Sequence, residues 1–323
     1  MYNCIIFDTS YGSFNMGDYI INECANYELK DIINNNFCVR LGTHTPVAHF
    51  YQLNNKRKPV KFINNAKFKF ITGTNIIKKN LFWPWPDWNI NLFNSKPYKN
   101  SILVGVGLSG KRKKANLYTK LIYRRIFSKD YIHSTRDEKT KLFLESLGLK
   151  AINTGCPTLW SIDDELCNKI PNKKCNTVIF TLTDYCKDKQ KDQDLINILV
   201  KNYKNLYFWP QGSNDYEYLK SFQNIENIKI ISPNIESYND FLNNTNTDYV
   251  GTRLHAGIYA IRHKKRTIIL SVDNRARDMK ETYNLPTIER DNISQLDKMI
   301  NSSFKTNIKI DKEKINKWKN QFN

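Results

Sequence analysis

The sequence predicts an α/β protein of two doubly wound, Rossmann-like domains. Short apolar runs alternate with longer amphipathic stretches along the chain, the pattern of strands joined by crossover helices in parallel sheets. The 323 residues exceed one domain of ordinary size. Breaker residues around Gly155-Cys156-Pro157 and Pro171-Asn172 separate one such series from a second.

The first series opens with Cys4-Ile5-Ile6-Phe7-Asp8, which reads as a buried first strand (4–8). Further strands are expected at 37–41, 68–72, 101–104, 131–135 and 151–153. Helices separate them at 18–33, where Ile20, Ile21, Cys24, Leu29 and Ile32 lie close to one face, and at 116–127 and 138–147. The second series has strands at 177–183, 206–209, 228–231, 248–250 and 267–272, with helices at 193–201, 237–243, 255–261 and 276–283. A final helix at 312–321, carrying Ile315 and Trp318, can pack on either domain. The expected domains are residues 1–160 and 175–305, followed by the helical segment 306–323. Ligands of doubly wound domains bind beyond the carboxyl ends of the strands, so the loops there are where chemistry is sought.

Composition narrows the function classes. Hydrophobic residues make up 40% and aromatics 13%, which excludes global disorder. No apolar stretch reaches the length of about eighteen residues that a spanning helix needs. The N-terminal residues have neither a basic segment nor a long apolar one, so a cytoplasmic protein is expected. Seven scattered cysteines without a C-x-x-C pair argue against a disulfide framework and against a zinc site. Lys and Arg outnumber Asp and Glu by 50 to 31, a net charge of +19. Such a field attracts an anion, whether nucleic acid, membrane or acidic small molecule, although much lysine can equally be solvated surface. No recognition helix, RNP or OB-type signature is present, so nucleic acid is not the expected partner.

Five segments could carry chemistry. Asn15-Met16-Gly17-Asp18 sits between the first strand and first helix, where Asp18 is either a helix cap or a functional carboxylate. Gly105-Val106-Gly107-Leu108-Ser109-Gly110 matches G-x-G-x-x-G literally. It follows the fourth strand and precedes the basic run Lys111-Arg112-Lys113-Lys114, so it is read as a glycine-lined loop. Arg136, in Ser134-Thr135-Arg136-Asp137-Glu138, is either delivered to a crevice by its strand or paired with the adjacent acids. Gly251-Thr252-Arg253-Leu254-His255-Ala256-Gly257 is the most informative. It aims a guanidinium, an imidazole and backbone N–H groups at one point above a sheet: an anion site with a proton-transfer group beside it. The last, Leu81-Phe82-Trp83-Pro84-Trp85-Pro86-Asp87-Trp88, is a sugar-stacking surface, a membrane wedge or a buried loop.

Together these segments resemble the polysaccharide pyruvyl transferase family. The resemblance runs from Asn15-Met16-Gly17-Asp18 through Gly73-Thr74-Asn75, Gly105-Val106-Gly107, Arg136-Asp137-Glu138 and Gly155-Cys156-Pro157 to Gly251–His255 and Asp273–Arg277. It implies a GT-B-like fold with the active site in the interdomain cleft, an acceptor-side N-terminal domain and a donor-side C-terminal domain. It implies transfer of a pyruvyl group from phosphoenolpyruvate onto two sugar hydroxyls as a ketal, with no cofactor and no metal. By the same resemblance, Arg253, Leu254, His255 and Arg136 bind the phosphoenolpyruvate anion. The chain departs from the family where Arg275 or Arg277 replaces an expected lysine, and where glycines are missing from the loop holding Gly73 and Asn75.

The chemistry suits the residues. A phosphate and a carboxylate need fixed cations and backbone donors, and ketal formation needs one acid and one base. His255 is assigned as the acid. Asp18, from the opposite domain, is assigned as the acceptor-side base, with His44 in reserve; Asn75 and Arg275 complete the substrate-binding set. The acceptor is a sugar of a bacterial surface polysaccharide or its lipid-linked precursor. Trp83, its aromatic neighbours and the basic surplus then imply reversible contact with an anionic membrane. Two other classes compete. A GT-B glycosyltransferase with a nucleotide-sugar donor needs an acid on the ribose, for which Asp273 and Glu281 are available. A basic nucleic-acid-binding protein would account for the charge.

Overall fold

The computed structural model describes residues 1–48, 52, 58–85, 87–110, 112 and 114–322. It divides into two compact units: unit 1 holds residues 1–13, 21–160 and 311–323, and unit 2 holds 14–20 and 161–310.

Unit 1 follows the predicted alternation. Its strands and helices are β1 (Asn3–Asp8), α1 (Met16–Glu28), α2 (Lys30–Asn34), β2 (Phe37–Gly42), α3 (Lys58–Asn65), β3 (Phe68–Thr72), β4 (Ile77–Lys78), β5 (Ile102–Val104), β6 (Leu108–Ser109), α4 (Leu117–Ile126), β7 (His133–Thr135), α5 (Glu138–Glu145) and β8 (Ala151–Asn153). The first turn of α1 groups with unit 2 and the remainder with unit 1. The main sheet has the order β2-β1-β3-β5, all parallel, with Ile5 opposite Val39 and Lys69. Strands β4 and β6 form a separate pair, as do β7 and β8. The sequence expectation of one helix over 18–33 is corrected: α1 ends at Glu28, and Leu29 (φ −98°, ψ 7°) starts the short α2.

β7 meets β5 through side chains. The Leu103 N–H donates to His133 Nδ1 at 3.2 Å, and the Gly105 N–H donates to Ser134 Oγ at 2.8 Å. Because Nδ1 accepts, the imidazole proton sits on Nε2, which donates to the Ser128 carbonyl at 2.9 Å. His133 is fully buried, and burial pulls its pKa down from 6.5 to about 4. The unfolded chain therefore binds a proton that the folded one refuses between about pH 6.5 and pH 4, and stability falls as pH falls through that window. From pH 7 to pH 5 the loss is about 2 kcal/mol. Urea unfolding at the two pH values measures it; a His133→Gln variant should show a smaller drop, and an equal drop would remove His133 as the cause.

Unit 2 comprises α6 (Asp164–Asn168), β9 (Thr177–Thr181), α7 (Lys189–Asn202), β10 (Asn205–Phe208), α8 (Asp215–Leu219), β11 (Ile228–Ile230), α9 (Ile235–Asn244), β12 (Asp248–Gly251), α10 (Leu254–Arg262), β13 (Thr267–Ser271), α11 (Asn274–Tyr283), β14 (Thr287–Glu289) and α12 (Leu296–Asn301). Its six strands are all parallel in the order β11-β10-β9-β12-β13-β14. Counted within the unit this is 3-2-1-4-5-6, the doubly wound order. One face buries Val178, Phe180, Phe208, Val250, Ile268 and Leu270 with Leu195 and Leu199 of α7. On the other, α10 lies close because Gly257 has no side chain: a Cβ there would stand 2.5 Å from Ile269 Cγ1. Side-chain caps start the helices, as at Asn234, whose Oδ1 accepts the Ser237 N–H at 2.7 Å. The terminal helix α13 (Lys312–Lys319) belongs to unit 1. Its Trp318 indole donates to the Ile132 carbonyl at 2.8 Å and packs edge-on against Trp160 and Phe70.

Candidate active site

The strand order of unit 2 reverses between β9 and β12, so the loops after these two strands flank the point where such sheets bind ligands. The loop after β12 is Thr252-Arg253, and α10 begins at Leu254. Arg253 is buried and held from three sides. Its Nε donates to the Leu182 carbonyl and to Asp215 Oδ2, both at 3.0 Å; its Nη2 donates to Asp184 Oδ1 at 2.8 Å and to Asp215 Oδ1. The ring of Tyr185 covers the guanidinium at 4.8 Å. Leu254 and His255 follow on the first turn of α10, both buried.

Asp215 opens α8, beyond β10, and has no exposed surface. Besides Arg253, it accepts the backbone N–H groups of Gly212 at 2.7 Å, Gln211 at 3.1 Å and Asp184 at 3.1 Å. Burial pushes its carboxyl up, while the guanidinium and these donors pull the other way and hold the charge. Gly212 is required by this packing: a Cβ there would lie 2.2 Å from Arg253 Nη2.

The same 211–213 loop meets the start of α1. The Gln211 amide donates to Asn15 Oδ1 at 2.7 Å, and the Met16 N–H donates to the Gln211 carbonyl at 2.8 Å. Ser213 donates its N–H to Phe14. The expectation that Asp18 comes from the domain opposite His255 is corrected: residues 14–20 group with unit 2 through these bonds. At this helix start Asn15 Oδ1 accepts the Gly17 N–H at 3.0 Å. Two of the predicted motifs thus converge on one loop, Asn15–Asp18 on one side and Arg253–His255 on the other.

After β13, Asp273 caps α11 through the Arg275 N–H at 2.9 Å and pairs with the Arg275 side chain. Arg275 Nη2 also donates to the Tyr185 hydroxyl at 2.7 Å, so Tyr185 links Arg253 to Arg275. Arg277 instead binds Glu289 at 2.7 Å. Of the two arginines that the sequence left open, Arg275 is the one at this site. Asp273, one of the two acids considered for a ribose, is committed to Arg275.

In unit 1, Arg136 and Asn75 come together. Arg136 is buried at the end of β7, its Nη2 donates to Asn75 Oδ1, and a Cβ on Gly107 would strike both side chains. The next helix begins only at Leu117, so the G-x-G-x-x-G match lacks the helix that a dinucleotide site requires. His44 follows β2, its Nδ1 3.4 Å from Thr43 Oγ1. Burial pulls its imidazole below the ordinary value, and Asp87 opposes this.

The family model of polysaccharide pyruvyl transferase matches residues 15–274, a span that contains both motifs and all of β9 to β13. The chain belongs to the polysaccharide pyruvyl transferase family. It is accordingly an enzyme of polysaccharide biosynthesis that transfers a pyruvyl group. No curated protein matches it in sequence. Among solved structures it is similar to the Methanocaldococcus jannaschii UDP-GlcNAc 2-epimerase in complex with UDP-GlcNAc and UDP. The identity is 12%, the TM-score 0.50, and the match covers 100% of this chain and 99% of that one. It is also similar to S. aureus MnaA with UDP, at 11% identity and a TM-score of 0.49, covering 94% and 92% of the two chains. E. coli heptosyltransferase WaaC with ADP-2-deoxy-2-fluoro heptose follows at 12% identity and 0.39, covering 83% and 88%. At such identities the epimerase likeness shows the fold alone, and that fold is of GT-B type.

Several residues packed around Arg253 escape sequence reading: Asp184, Tyr185, Gln211, Gly212 and Asp215. Their one signal is position, since each follows the carboxyl end of β9 or β10. The aromatic segment, left open between a stacking surface, a membrane wedge and a buried loop, is split. Trp88 is core, packed with Tyr98, Tyr123 and Phe127. Trp85 is half-buried, its indole N–H bonded to the Asn80 carbonyl at 2.7 Å. Of the three tryptophans only Trp83 is exposed. Pro86, Lys111 and Lys113 lie outside the described residues.

Proposed function

We propose that this transferase uses phosphoenolpyruvate as donor and forms a pyruvate ketal on a sugar of a bacterial surface polysaccharide or its lipid-linked precursor. The observation that carries the reading is Arg253, a buried cation fixed by two carboxylates at the switch point of unit 2, with His255 two residues on. Arg253 and Arg275, both already paired with carboxylates, offer the donor's phosphate and carboxylate directed guanidinium N–H groups rather than net positive charge, with backbone donors at the start of α10. Leu254 lines the donor site. Arg136, Asn75 and His44 of unit 1 are the further substrate-binding residues in this reading.

His255 delivers a proton to the methylene carbon of the donor, which becomes the methyl group. The central carbon gains positive character, and a sugar oxygen adds to it as Asp18 removes that hydroxyl's proton. Loss of phosphate and attack by the second hydroxyl close the ketal, the second proton leaving with the phosphate. The reaction needs no redox partner. The enzyme is cytoplasmic in this reading and meets a lipid-linked acceptor at the inner leaflet.

A donor screen tests it. Phosphoenolpyruvate should raise the melting temperature, since a ligand that binds only the folded state stabilises it by mass action. Nucleotide sugars should not. Mass spectrometry should then find a pyruvyl adduct on the acceptor glycan. Stabilisation by a nucleotide sugar, with no effect of phosphoenolpyruvate, would transfer the chain to the glycosyltransferases.

A further inference from the structure

Unit 1 carries an exposed apolar surface whose side chains have no role in the proposed transfer steps. The segment after β4 is pinned to α4 by three contacts. Asn116 Nδ2 donates to Asn80 Oδ1 at 2.8 Å, the Leu81 N–H donates to Thr119 Oγ1 at 2.9 Å, and Phe82 stacks on Tyr118 with centroids 4.6 Å apart. The Tyr118 hydroxyl also accepts the N–H of Leu92, next to Phe93. These contacts hold large apolar side chains out in solvent. Trp83 is 71% exposed, Phe93 82% and Leu117 83%, with Phe82 and Leu121 also exposed. Leu117 and Leu121 are one helical turn apart and so share a face of α4.

The same stretches of chain are rich in exposed cations. Lys96, Lys99, Arg112, Lys114, Arg124 and Arg125 are exposed in the same two stretches of chain. Over residues 79–99 and 112–127 the sequence has one acid, Asp87, and it pairs with Lys78 at 2.9 Å. A monomeric surface rarely leaves so many large apolar groups together without a partner. The partner must accept aliphatic and aromatic side chains at once, and it must be negative.

We propose that this face of unit 1 docks on the surface of an anionic lipid bilayer. Phe82, Trp83, Phe93, Leu117 and Leu121 enter the boundary between headgroups and acyl chains, and the flanking lysines and arginines meet the anionic headgroups. A single-stranded nucleic acid also stacks on aromatic rings and binds cations, but exposed leucines give it nothing to stack on. The inference deepens the reading of a lipid-linked acceptor met at the inner leaflet, and vesicle binding tests it separately from pyruvyl transfer.

The test is sedimentation of the full chain with vesicles of phosphatidylcholine alone or mixed with phosphatidylglycerol, at low and high salt. Binding to the mixed vesicles, weakened by salt, is expected, and no binding to phosphatidylcholine. Phe82→Ser with Trp83→Ser and Leu117→Ser should weaken binding by about tenfold or more. Lys96→Glu, Lys114→Glu and Arg125→Glu should weaken it by at least about fivefold per charge. All six positions are exposed, so melting temperatures and transfer to a water-soluble acceptor should stay at wild-type values. A lost transfer activity with intact vesicle binding would count against the catalytic reading only. Failure to sediment with the mixed vesicles overturns the proposal, as does wild-type binding by the serine variant. So does a single-stranded oligonucleotide that binds this face when vesicles do not.

Discussion

Replacing Arg253 by Ala is expected to abolish binding of phosphoenolpyruvate and to destabilise the fold by about 3–5 kcal/mol. Both effects have one origin. The guanidinium is the ion partner of Asp215, which has no exposed surface, and it also binds Asp184 and the Leu182 carbonyl. Without it, a carboxylate stays buried with only backbone donors to hold its charge. The donor loses a charge-assisted anchor at the same time, which for a small anion removes most of the affinity. Changing Asp215 to Asn in the Arg253→Ala background separates the two effects. The amide can keep its oxygen at the Oδ2 position, where the Gln211 and Gly212 N–H groups donate, at the cost of the Oδ1 acceptor of the Asp184 N–H. It carries no charge, so stability should partly return while donor binding should not. Urea unfolding and the donor-induced melting shift are the measurements. A wild-type shift in Arg253→Ala would end the donor assignment, and a double variant as unstable as the single one would end the buried-charge argument.

A second large effect is expected at His255. Its replacement by Gln should lower turnover by about 10²–10⁴-fold, the usual contribution of a general acid, with donor affinity nearly unchanged. The amide keeps polar atoms in place but has no proton to give at neutral pH. Equal losses in affinity and turnover would make His255 an anion ligand instead. Asp18→Asn is the matching test of the base: near-normal turnover would leave Asp18 as a residue of the α1 start and nothing more.

Strands buried on both faces were the legible part of the fold. Thr177–Thr181 and Thr267–Ser271 are buried throughout and read as apolar triplets flanked by Thr or Ser, the near-continuous pattern of parallel strands between helix layers. The two-residue strands β4 and β6 carry no such run, and β14 is a three-residue strand after a proline; packing, not local pattern, makes these pair. In the candidate site, Arg253 and His255 stand out in the sequence because they follow the end of one apolar strand, two residues apart. Asp215 lies 38 residues before Arg253, in a polar stretch whose acids look alike. Only the sheet order, which brings β10 and β12 to either side of β9, selects that one.

The make-up of unit 1 has a consequence for how the chain matures on the ribosome. Its aromatic face is finished by a segment translated after residues 161–310: Trp318 and Phe322 pack on Phe70, and Phe322 stacks with Tyr131. All of residues 161–310 are synthesised between Trp160 and that segment. At about 5–20 residues per second the interval is on the order of ten seconds. During that time Phe68, Phe70 and Tyr131 lack their Phe322 partner, and unit 1, though begun first, cannot complete its aromatic packing until residues 161–310 have been made.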